Sequence, residues 1–208
     1  LIDPEGRLYL QRHFDLERRL ARRLVRAAGA VPGGVGTAAA AALRAHFPAR
    51  HDAQGDVQVD DQQLAAALAL RQRLVVISGG PGTGKTTTVV KLLACLLAQQ
   101  PGLRIALAAP TGKAAARMTE ALRQRADSLP PAARAALPTE SYTLHRLLRV
   151  NPSLPGGFEH HAGHRLPIDL LVVDEASMLD LSMATRLFEA VPDSARIVLL
   201  GDKDQLAA

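Results

Sequence analysis

The feature that most constrains this chain is a glycine-rich loop between an apolar run and a helical pattern. Residues 79–86 read Gly-Gly-Pro-Gly-Thr-Gly-Lys-Thr, which matches the pattern G-x-x-x-x-G-K-[ST]. The loop follows the apolar run Leu74–Ser78 and precedes a helical pattern over Lys85–Gln99. Glycines let backbone N–H groups converge on phosphate oxygens, and a helix start adds its positive end. A structural glycine turn is the alternative, but the strand–loop–helix context favours a phosphate loop.

This loop predicts a site for ATP and Mg²⁺. Lys85 supplies a positive charge that can follow the β- and γ-phosphates, and Thr86 can offer its hydroxyl to the metal. The predicted nucleotide-binding residues of the loop are Gly79, Gly80, Pro81, Gly82, Thr83, Gly84, Lys85, Thr86 and Thr87.

Short apolar runs alternate with helical patterns from residue 57 onward. We predict strands at 74–78, 104–109, 170–173 and 197–200, and helices near 61–70, 85–99, 114–125 and 181–190. Strands with few polar positions are typical of a parallel sheet covered on both faces. The expected fold is therefore α/β, a P-loop NTPase sheet with helices on both faces. Residues 126–166 are rich in Pro and Gly and are expected to be irregular, apart from a short helix near 143–149.

The first 56 residues are predicted to form a small helical amino-terminal domain, separate from the α/β domain at 57–208. Leucines recur at every fourth position in 14–26, and arginines occupy most other faces of that helix. The glycine-rich stretch 29–36 then interrupts the pattern. Two interpretations stay open for the helix: an amphipathic helix with a solvated basic face, or a surface for a partner subunit or DNA.

Two carboxylates follow the apolar run at 170–173. Ligands bind at the carboxyl ends of strands in open parallel sheets, so Asp174 and Glu175 should emerge beside the phosphate loop. Asp174 suits the magnesium site, and Glu175 suits the base that activates the attacking water. A simple helix-start signal with local capping by Ser177 is the alternative. Loop and carboxylates together still fit kinases, transport ATPases, AAA-type machines and helicases.

Three further segments favour a helicase. The segment 108–117 places Thr111, Gly112 and Lys113 at a helix start, where N–H groups and a lysine can hold a DNA phosphate. The segment 142–148 brings Thr143 and His145 together as donors. The last apolar run is followed by Gly-Asp-Lys-Asp-Gln, and the amide of Gln205 can hydrogen-bond the γ-phosphate.

These segments resemble the RecD family of superfamily 1 DNA helicases, the alpha subunits of exodeoxyribonuclease V. The matching strings are VISGGPGTGKTTTV, LAAPTGKAAARM, TLHRLL, LLVVDEASMLDL and LLGDKDQLA, in that order. The resemblance covers 57–208 strongly, and LYLQRHFDLERRLARRL near the amino terminus is similar to the family's first segment.

The resemblance implies an ATP-dependent 5′-to-3′ helicase or translocase subunit of a RecBCD-type helicase–nuclease, which acts in double-strand break repair and recombination. It implies RecB- and RecC-like partner subunits, a RecC-like surface for the amino-terminal helix, and single-stranded DNA at Thr111, Gly112, Lys113, Thr143 and His145. It also implies that Gln62 recognises adenine, although its neighbour Gln63 is a rival for this role. The catalytic residues that it implies are Lys85, Asp174, Glu175 and Gln205, with Thr86 and Asp174 at the metal.

The family's motor hydrolyses ATP between two motor domains, and the chain ends just after Gln205. We therefore expect these residues alone to bind Mg-ATP weakly, with little turnover and no unwinding. Two competing hypotheses remain: a stand-alone or conjugative helicase of the same superfamily, and a binding module in which nucleotide has a regulatory part.

Composition narrows the remaining possibilities. The chain has 208 residues, 48% hydrophobic, with a net charge of +5, which fits a polyanion partner or simply a basic surface. The single Cys95 excludes an internal disulfide and is expected to be a small buried hydrophobe. The histidines at 160, 161 and 164 suggest a metal site, but an exposed loop insertion is the preferred interpretation. Without an 18-residue apolar stretch or a signal-peptide pattern, a soluble cytoplasmic protein is expected.

Overall fold

The computed structural model describes residues 6, 8, 10–29, 34–51, 54, 56–80, 82–127 and 129–202. The helices and strands follow in this order: α1 (Gln11–Ala27), α2 (Thr37–His46), β1 (Arg50–His51), β2 (Val57–Gln58), α3 (Asp61–Arg71), β3 (Leu74–Ser78), α4 (Lys85–Gln99), β4 (Ile105–Ala109), α5 (Gly112–Ala126), α6 (Pro131–Ala136), β5 (Tyr142–Thr143), α7 (Leu144–Leu148), β6 (Leu170–Val173), a 3₁₀ turn (Ala176–Met178), α8 (Leu181–Ala190) and β7 (Arg196–Gly201).

Five strands form one parallel sheet in the order β3-β7-β6-β4-β5. The register aligns the carboxyl ends of neighbouring strands: Ser78 lies opposite Gly201, and Ala108 lies opposite Val173. The loops that follow β3, β4, β6 and β7 therefore begin at one edge of the sheet. The strands β1 and β2 form a separate antiparallel pair.

The middle of the sheet is buried on both faces because β4 and β6 are apolar at every position. In β6, Leu170 and Val172 join a core with α2, α3 and α4, whereas Leu171 and Val173 join a second core with α7 and α8. All four side chains are fully buried. The continuous apolar pattern thus encodes a strand between two helical layers, and the predicted α/β fold with helices on both faces is confirmed.

The amino-terminal helices pack on both layers of the α/β part. The helix α2 lies against α4, and α1 lies against α8 with Leu20 and Leu24 in contact with the second core. The leucine stripe of α1 is therefore covered within the chain itself. Whether residues 1–56 form a domain of their own stays a prediction.

Arg23 anchors α1 to the carboxyl end of α8. Its guanidinium donates to the carbonyl of Phe188 over 2.9 Å and to that of Val191 over 2.7 Å, and it also pairs with Asp193. The last carbonyls of a helix have no intrahelical partner, and a buried cation satisfies both their hydrogen bonds and the helix dipole. Asp193 receives a second arginine, Arg165, and the hydrogen bonds from these two guanidinium groups lower the pKa of Asp193. Arg23, the only buried arginine of α1, therefore stabilises the packing of α1 against α8.

Most long elements begin and end where the sequence predicts. The bounds of β3, α4, β6 and α8 agree with prediction, and α1, α3, α5, β4 and β7 differ by a few residues at most. Within 126–166 the prediction is wrong in part, because α6 and β5 form there in addition to the short α7. The strand β5 has only two residues, and pairing with the edge of β4 rather than any periodic pattern defines it.

No helix among the described residues is long and apolar enough to cross a membrane.

Cys95 is a fully buried residue of α4, as expected, and burial raises the pKa of its thiol to about 11.

Candidate functional site

A cavity of about 480 Å³ opens at the carboxyl edge of the sheet. The amino-terminal end of α4, one face of α5 and the ends of β6 and β7 surround it. Its lining residues are Gly82, Thr83, Gly84, Lys85, Thr86, Thr87, Arg117, Met118, Arg125, Asp174, Glu175, Gly201 and Asp202. The fold therefore brings the predicted phosphate loop and the predicted carboxylates, ninety residues apart in the chain, to one cavity.

The loop wraps around the ammonium group of Lys85. Nζ of Lys85 donates to the carbonyl of Gly80 over 2.9 Å and also to the carbonyl of Gly79. Gly79 is itself tied to the neighbouring strand end, since its N–H donates to the carbonyl of Gly201 over 3.2 Å. A phosphate group that enters the loop would compete with these two carbonyls for the ammonium group, and its bond would be the stronger because both partners of that bond are charged.

Glycine is required at position 84. Its φ is +82°, in the left-handed region that glycine adopts without strain. A Cβ atom there would lie 2.5 Å from Nε2 of Gln62. The glycine thus permits both the turn into α4 and the close approach of Gln62.

Three successive threonines follow Lys85 in the first turn of α4, and their hydroxyl groups differ in their hydrogen-bond partners. Oγ1 of Thr87 accepts from Arg125 over 2.9 Å, and Oγ1 of Thr88 donates to the carbonyl of Gly84 over 3.1 Å. No described residue hydrogen-bonds the hydroxyl of Thr86, which lines the cavity together with Asp174. A hydroxyl and a carboxylate are oxygen ligands of the kind that Mg²⁺ takes, so these residues fit the predicted metal.

Asp174 is partly buried at the end of β6. Its backbone N–H donates to the carbonyl of Ala108 over 2.9 Å, and its Oδ1 accepts the N–H of Glu175 over 2.9 Å. Burial raises the pKa of Asp174 above its ordinary value, and the charge of Glu175 adds to the effect, whereas Lys85 and Arg117 oppose it. A divalent cation in the cavity would favour the ionised carboxylate.

Glu175 adopts a backbone conformation that glutamate rarely occupies. Its φ of 52° and ψ of 38° lie in the left-handed region, where a side chain costs about 1–2 kcal/mol. The turn Ala176–Met178 starts directly after it. The strained residue lines the cavity, and strain of this kind clusters at active sites.

The two glutamines at the start of α3 face different neighbours. The backbone N–H groups of Gln62 and Gln63 both donate to the side-chain carboxylate of Asp60, which caps the helix. The Gln62 side chain donates to the carbonyl of Thr83 in the phosphate loop over 3.0 Å, whereas that of Gln63 donates to the carbonyl of Phe47 over 3.0 Å. The structure therefore favours Gln62 over its rival for the nucleotide, although its role towards adenine stays a prediction.

We expect Gln62→Ala to weaken ATP binding by the full-length protein about fivefold to tenfold, because one or two amide hydrogen bonds contribute roughly 1–1.5 kcal/mol. The preference for ATP over GTP should fall as well. Gln63→Ala is the matched control and should leave both unchanged in equilibrium titrations with labelled nucleotides. Loss of affinity in the Gln63 variant alone would reverse the assignment.

The residues predicted to bind DNA lie at two adjacent helix starts. Thr111 follows β4, and Thr143 is the last residue of the neighbouring strand β5. Each caps its helix: Oγ1 of Thr111 accepts from the N–H of Ala114 and that of Thr143 from the N–H of Arg146, both over 3.2 Å. Gly112, Lys113 and His145 are exposed nearby. None of these five lines the nucleotide cavity. They form a separate polar surface beside it.

Two predicted site residues, Pro81 and Gln205, lie outside the described residues. Sequence reasoning had in turn missed three charged residues that line the cavity: Arg117, Arg125 and Asp202. Asp202 is buried directly after β7, so the rule that drew attention to Asp174, a carboxylate at the end of an apolar strand, could have identified it. The two arginines gave no such signal, because α5 carries three arginines, at 117, 123 and 125, and the sequence does not show which of them face a cavity.

The histidine segment differs in one respect from the exposed loop that was predicted. His160 is buried, and its ring stacks on that of His164 with 4.9 Å between centroids. His161, Ala162, Gly163 and His164 are exposed. Within the described residues, no group of three or more His, Cys, Asp or Glu side chains could hold a metal ion.

The sequence of the α/β part matches a known family. The family model described as the AAA domain matches residues 62–208, which is most of the chain. The chain belongs to the AAA domain family.

Named relatives of this AAA domain include helicase subunits. It is 53% identical over 155 residues to the RecBCD enzyme subunit RecD of Mycolicibacterium smegmatis, covering 72% of this chain and 28% of that protein. The same subunit of Haemophilus influenzae is 41% identical over 160 residues, covering 73% and 24%. The ATP-dependent RecD2 DNA helicase of Deinococcus radiodurans is 45% identical over 134 residues, covering 64% and 16%. The chain thus spans between 16% and 28% of the length of these relatives, and the resemblance to the RecD family holds.

Proposed function

We propose that this chain is the nucleotide-binding part of an ATP-dependent DNA helicase subunit of a RecBCD-type helicase–nuclease, which acts in double-strand break repair and recombination. In this proposal residues 57–208 form the first motor domain, and residues 1–56 form an amino-terminal region that docks on a partner. The observation that carries it is the cavity that unites Lys85, Thr86, Asp174 and Glu175. The names of the RecD relatives support the proposal that the chain is part of a helicase subunit.

The residues of the cavity divide the chemistry of ATP hydrolysis between them. Lys85 and the N–H groups at the start of α4 hold the phosphates, which lowers the energy of negative charge as it develops. Bound Mg²⁺, held by Thr86 and Asp174, would neutralise the β- and γ-oxygens. Glu175 accepts a proton from the water that attacks the γ-phosphorus, and Gln205 contacts the γ-phosphate. Gln62, with its amide at the phosphate loop, recognises adenine.

The surface at the starts of α5 and α7 is proposed to hold single-stranded DNA. Thr111, Gly112, Lys113, Thr143 and His145 belong to this surface. Because α5 begins on it and also lines the nucleotide cavity, a movement of α5 would connect nucleotide binding with DNA binding.

RecB- and RecC-like subunits are the proposed partners. The leucine stripe of α1 is covered by α8, so the face left for a partner is the exposed one, which carries Arg12, Arg18, Arg22 and Arg26. A stand-alone helicase is the second candidate, since the name of the RecD2 relative calls it a DNA helicase and mentions no RecBCD enzyme. Co-purification of the full-length protein with RecB- and RecC-like subunits would separate the two candidates.

The test is a comparison of the full-length protein with the 208-residue chain in ATP hydrolysis and in unwinding of a duplex with a 5′ tail. The full-length protein should hydrolyse ATP faster on addition of single-stranded DNA and should unwind the duplex. The chain alone should bind Mg-ATP weakly and turn it over very slowly, since arginines of a second motor domain contribute about 10³–10⁵ in rate in enzymes of this kind. Equal turnover by the two proteins would contradict the two-domain mechanism. If single-stranded DNA did not stimulate ATP hydrolysis by the full-length protein, the proposed helicase function would be wrong.

A further inference from the structure

Arg117 is an exposed residue of the second turn of α5 and lines the cavity of the phosphate loop. The helix starts directly after β4, and β4 lies beside β6, whose end carries Asp174. Met118, the next residue, is almost fully buried and fixes the rotation of the helix. Both residues line the cavity together with Lys85, Asp174 and Glu175. The position of Arg117 is thus set by packing of the helix against the sheet.

Among the described residues, no acceptor binds the guanidinium of Arg117. Several other arginines have partners: Arg104 pairs with Asp169, Arg146 with Glu140 and Arg149 with Glu159, and Arg125, which also lines the cavity, donates to Thr87. In the part of the chain that the structure describes, Arg117 forms neither a hydrogen bond nor an ion pair. It lines the same cavity as Asp174 and Glu175. An exposed arginine that lines a cavity and has no acceptor among the described residues is suited to a multivalent anion, because its planar fork matches phosphate oxygens.

We propose that Arg117 is a catalytic residue of this domain, and that its guanidinium contacts the terminal phosphoryl group of a nucleoside triphosphate bound in the cavity. The inference rests on the proposed function. Among the cavity residues, Asp174 and Glu175 mark the end at which the attacking water and a metal ion would meet the γ-phosphate, and Arg117 lines the same cavity. The arginine is supplied by the same domain as Lys85.

The contribution expected of Arg117 follows from the reaction. A bond forms between the water oxygen and the γ-phosphorus, the bond to the bridging oxygen breaks, and ADP leaves with that electron pair while Glu175 takes the water proton. Negative charge spreads over the γ-oxygens and the bridging oxygen during this transfer. A guanidinium at the γ-phosphate stabilises this charge, and it also distinguishes a triphosphate from a diphosphate.

A contact of Arg117 with a DNA phosphate is the competing interpretation, since α5 begins on the proposed DNA surface. The cavity argues against it, because Thr111, Gly112, Lys113, Thr143 and His145 are absent from its lining. The two interpretations predict different losses, of triphosphate affinity in one case and of DNA affinity in the other.

The experiment compares Arg117→Ala, Arg117→Lys and the control Arg123→Ala in the full-length protein. Arg123 is an exposed arginine of the same helix that does not line the cavity. Calorimetry gives the affinities for a non-hydrolysable ATP analogue with Mg²⁺ and for ADP, fluorescence anisotropy gives the affinity for single-stranded DNA without nucleotide, and a coupled assay gives kcat and KM.

For Arg117→Ala we expect at least a tenfold loss of affinity for the ATP analogue, less than a twofold change for ADP and DNA, and a fall in kcat of about 10²-fold, as for other removed donors to developing charge. Arg117→Lys should recover part of the triphosphate affinity because the charge is kept without the fork, and Arg123→Ala should match the wild type. Unchanged values for Arg117→Ala, equal losses for the analogue and ADP, or a loss of DNA affinity alone would each overturn the inference. If Arg117→Ala melts well below the wild type, Arg117→Lys decides: a loss of affinity for the ATP analogue that exceeds the loss for ADP supports the inference, and no loss or an equal loss for both overturns it. A wild-type protein that binds no nucleotide would instead overturn the proposed function.

Discussion

Replacing Lys85 by alanine is expected to abolish ATP hydrolysis and DNA unwinding by the full-length protein, with kcat at least 100-fold below the wild type. The ammonium group of Lys85 is the cation held inside the phosphate loop by the carbonyls of Gly79 and Gly80. Its removal leaves those carbonyls to face the phosphates, so that repulsion replaces attraction at the point where charge develops. Binding of ATP should weaken together with turnover, and both are measured by titration with labelled nucleotide and by steady-state kinetics.

Lys91→Ala is the matched control for this change. Lys91 lies on the same helix, but its Nζ is 4.8 Å from the ring centroid of Phe47 and outside the cavity. The control removes the same charge from α4 and should change kcat less than twofold. If Lys85→Ala left the activity of an assembly with its partners intact, the chain would be a nucleotide-regulated binding module and not a motor.

Replacing Glu175 by glutamine should separate binding from hydrolysis. Glutamine keeps the size of the side chain and its hydrogen-bonding reach but cannot accept a proton from water. We expect kcat to fall by about 10²–10⁴-fold, the usual contribution of a general base, while affinity for ATP with Mg²⁺ stays within about threefold of the wild type. The full-length variant should therefore remain bound to ATP, which single-turnover kinetics and nucleotide titration can detect.

Two controls make the Glu175 result specific. Glu120→Gln changes an exposed carboxylate of α5 that bonds to Gln124 over 2.9 Å, and it should have no effect on turnover. Glu175→Ala tests the left-handed backbone: it should lose activity to the same extent, because the proton acceptor matters and not the conformation alone. Activity in the glutamine variant within a few fold of the wild type would remove Glu175 from the mechanism.

Long elements were predictable because their patterns are local. The apolar runs of β3 and β6 and the glycine loop before α4 mark their own ends, and the structure gives these elements the predicted bounds. The short β5 and α6 were not predictable, because two or six residues carry no periodicity. Their conformation is fixed by neighbours that are distant in sequence.

The candidate site, like the fold, was predictable from the sequence only in part. The loop and the carboxylates at the end of β6 could be paired in advance, because ligand sites in parallel sheets gather at the carboxyl ends of strands. The choice between Gln62 and Gln63 could not be made from adjacent identical residues, and it depends on which amide faces Thr83.

By itself, the sequence determined the fold class, the phosphate loop and the carboxylates that accompany it, since these follow from hydrophobic pattern and from chemistry at fixed spacing. Only the tertiary structure decided that the leucine stripe of α1 packs on α8, that Arg23 caps the carboxyl end of that helix and that Arg117 lines the nucleotide cavity. The sequence alone does not show whether an arginine forms an ion pair, caps a helix or keeps its donors for a ligand. The role of each arginine is set by which carbonyls, carboxylates and cavities the folded chain places within its reach.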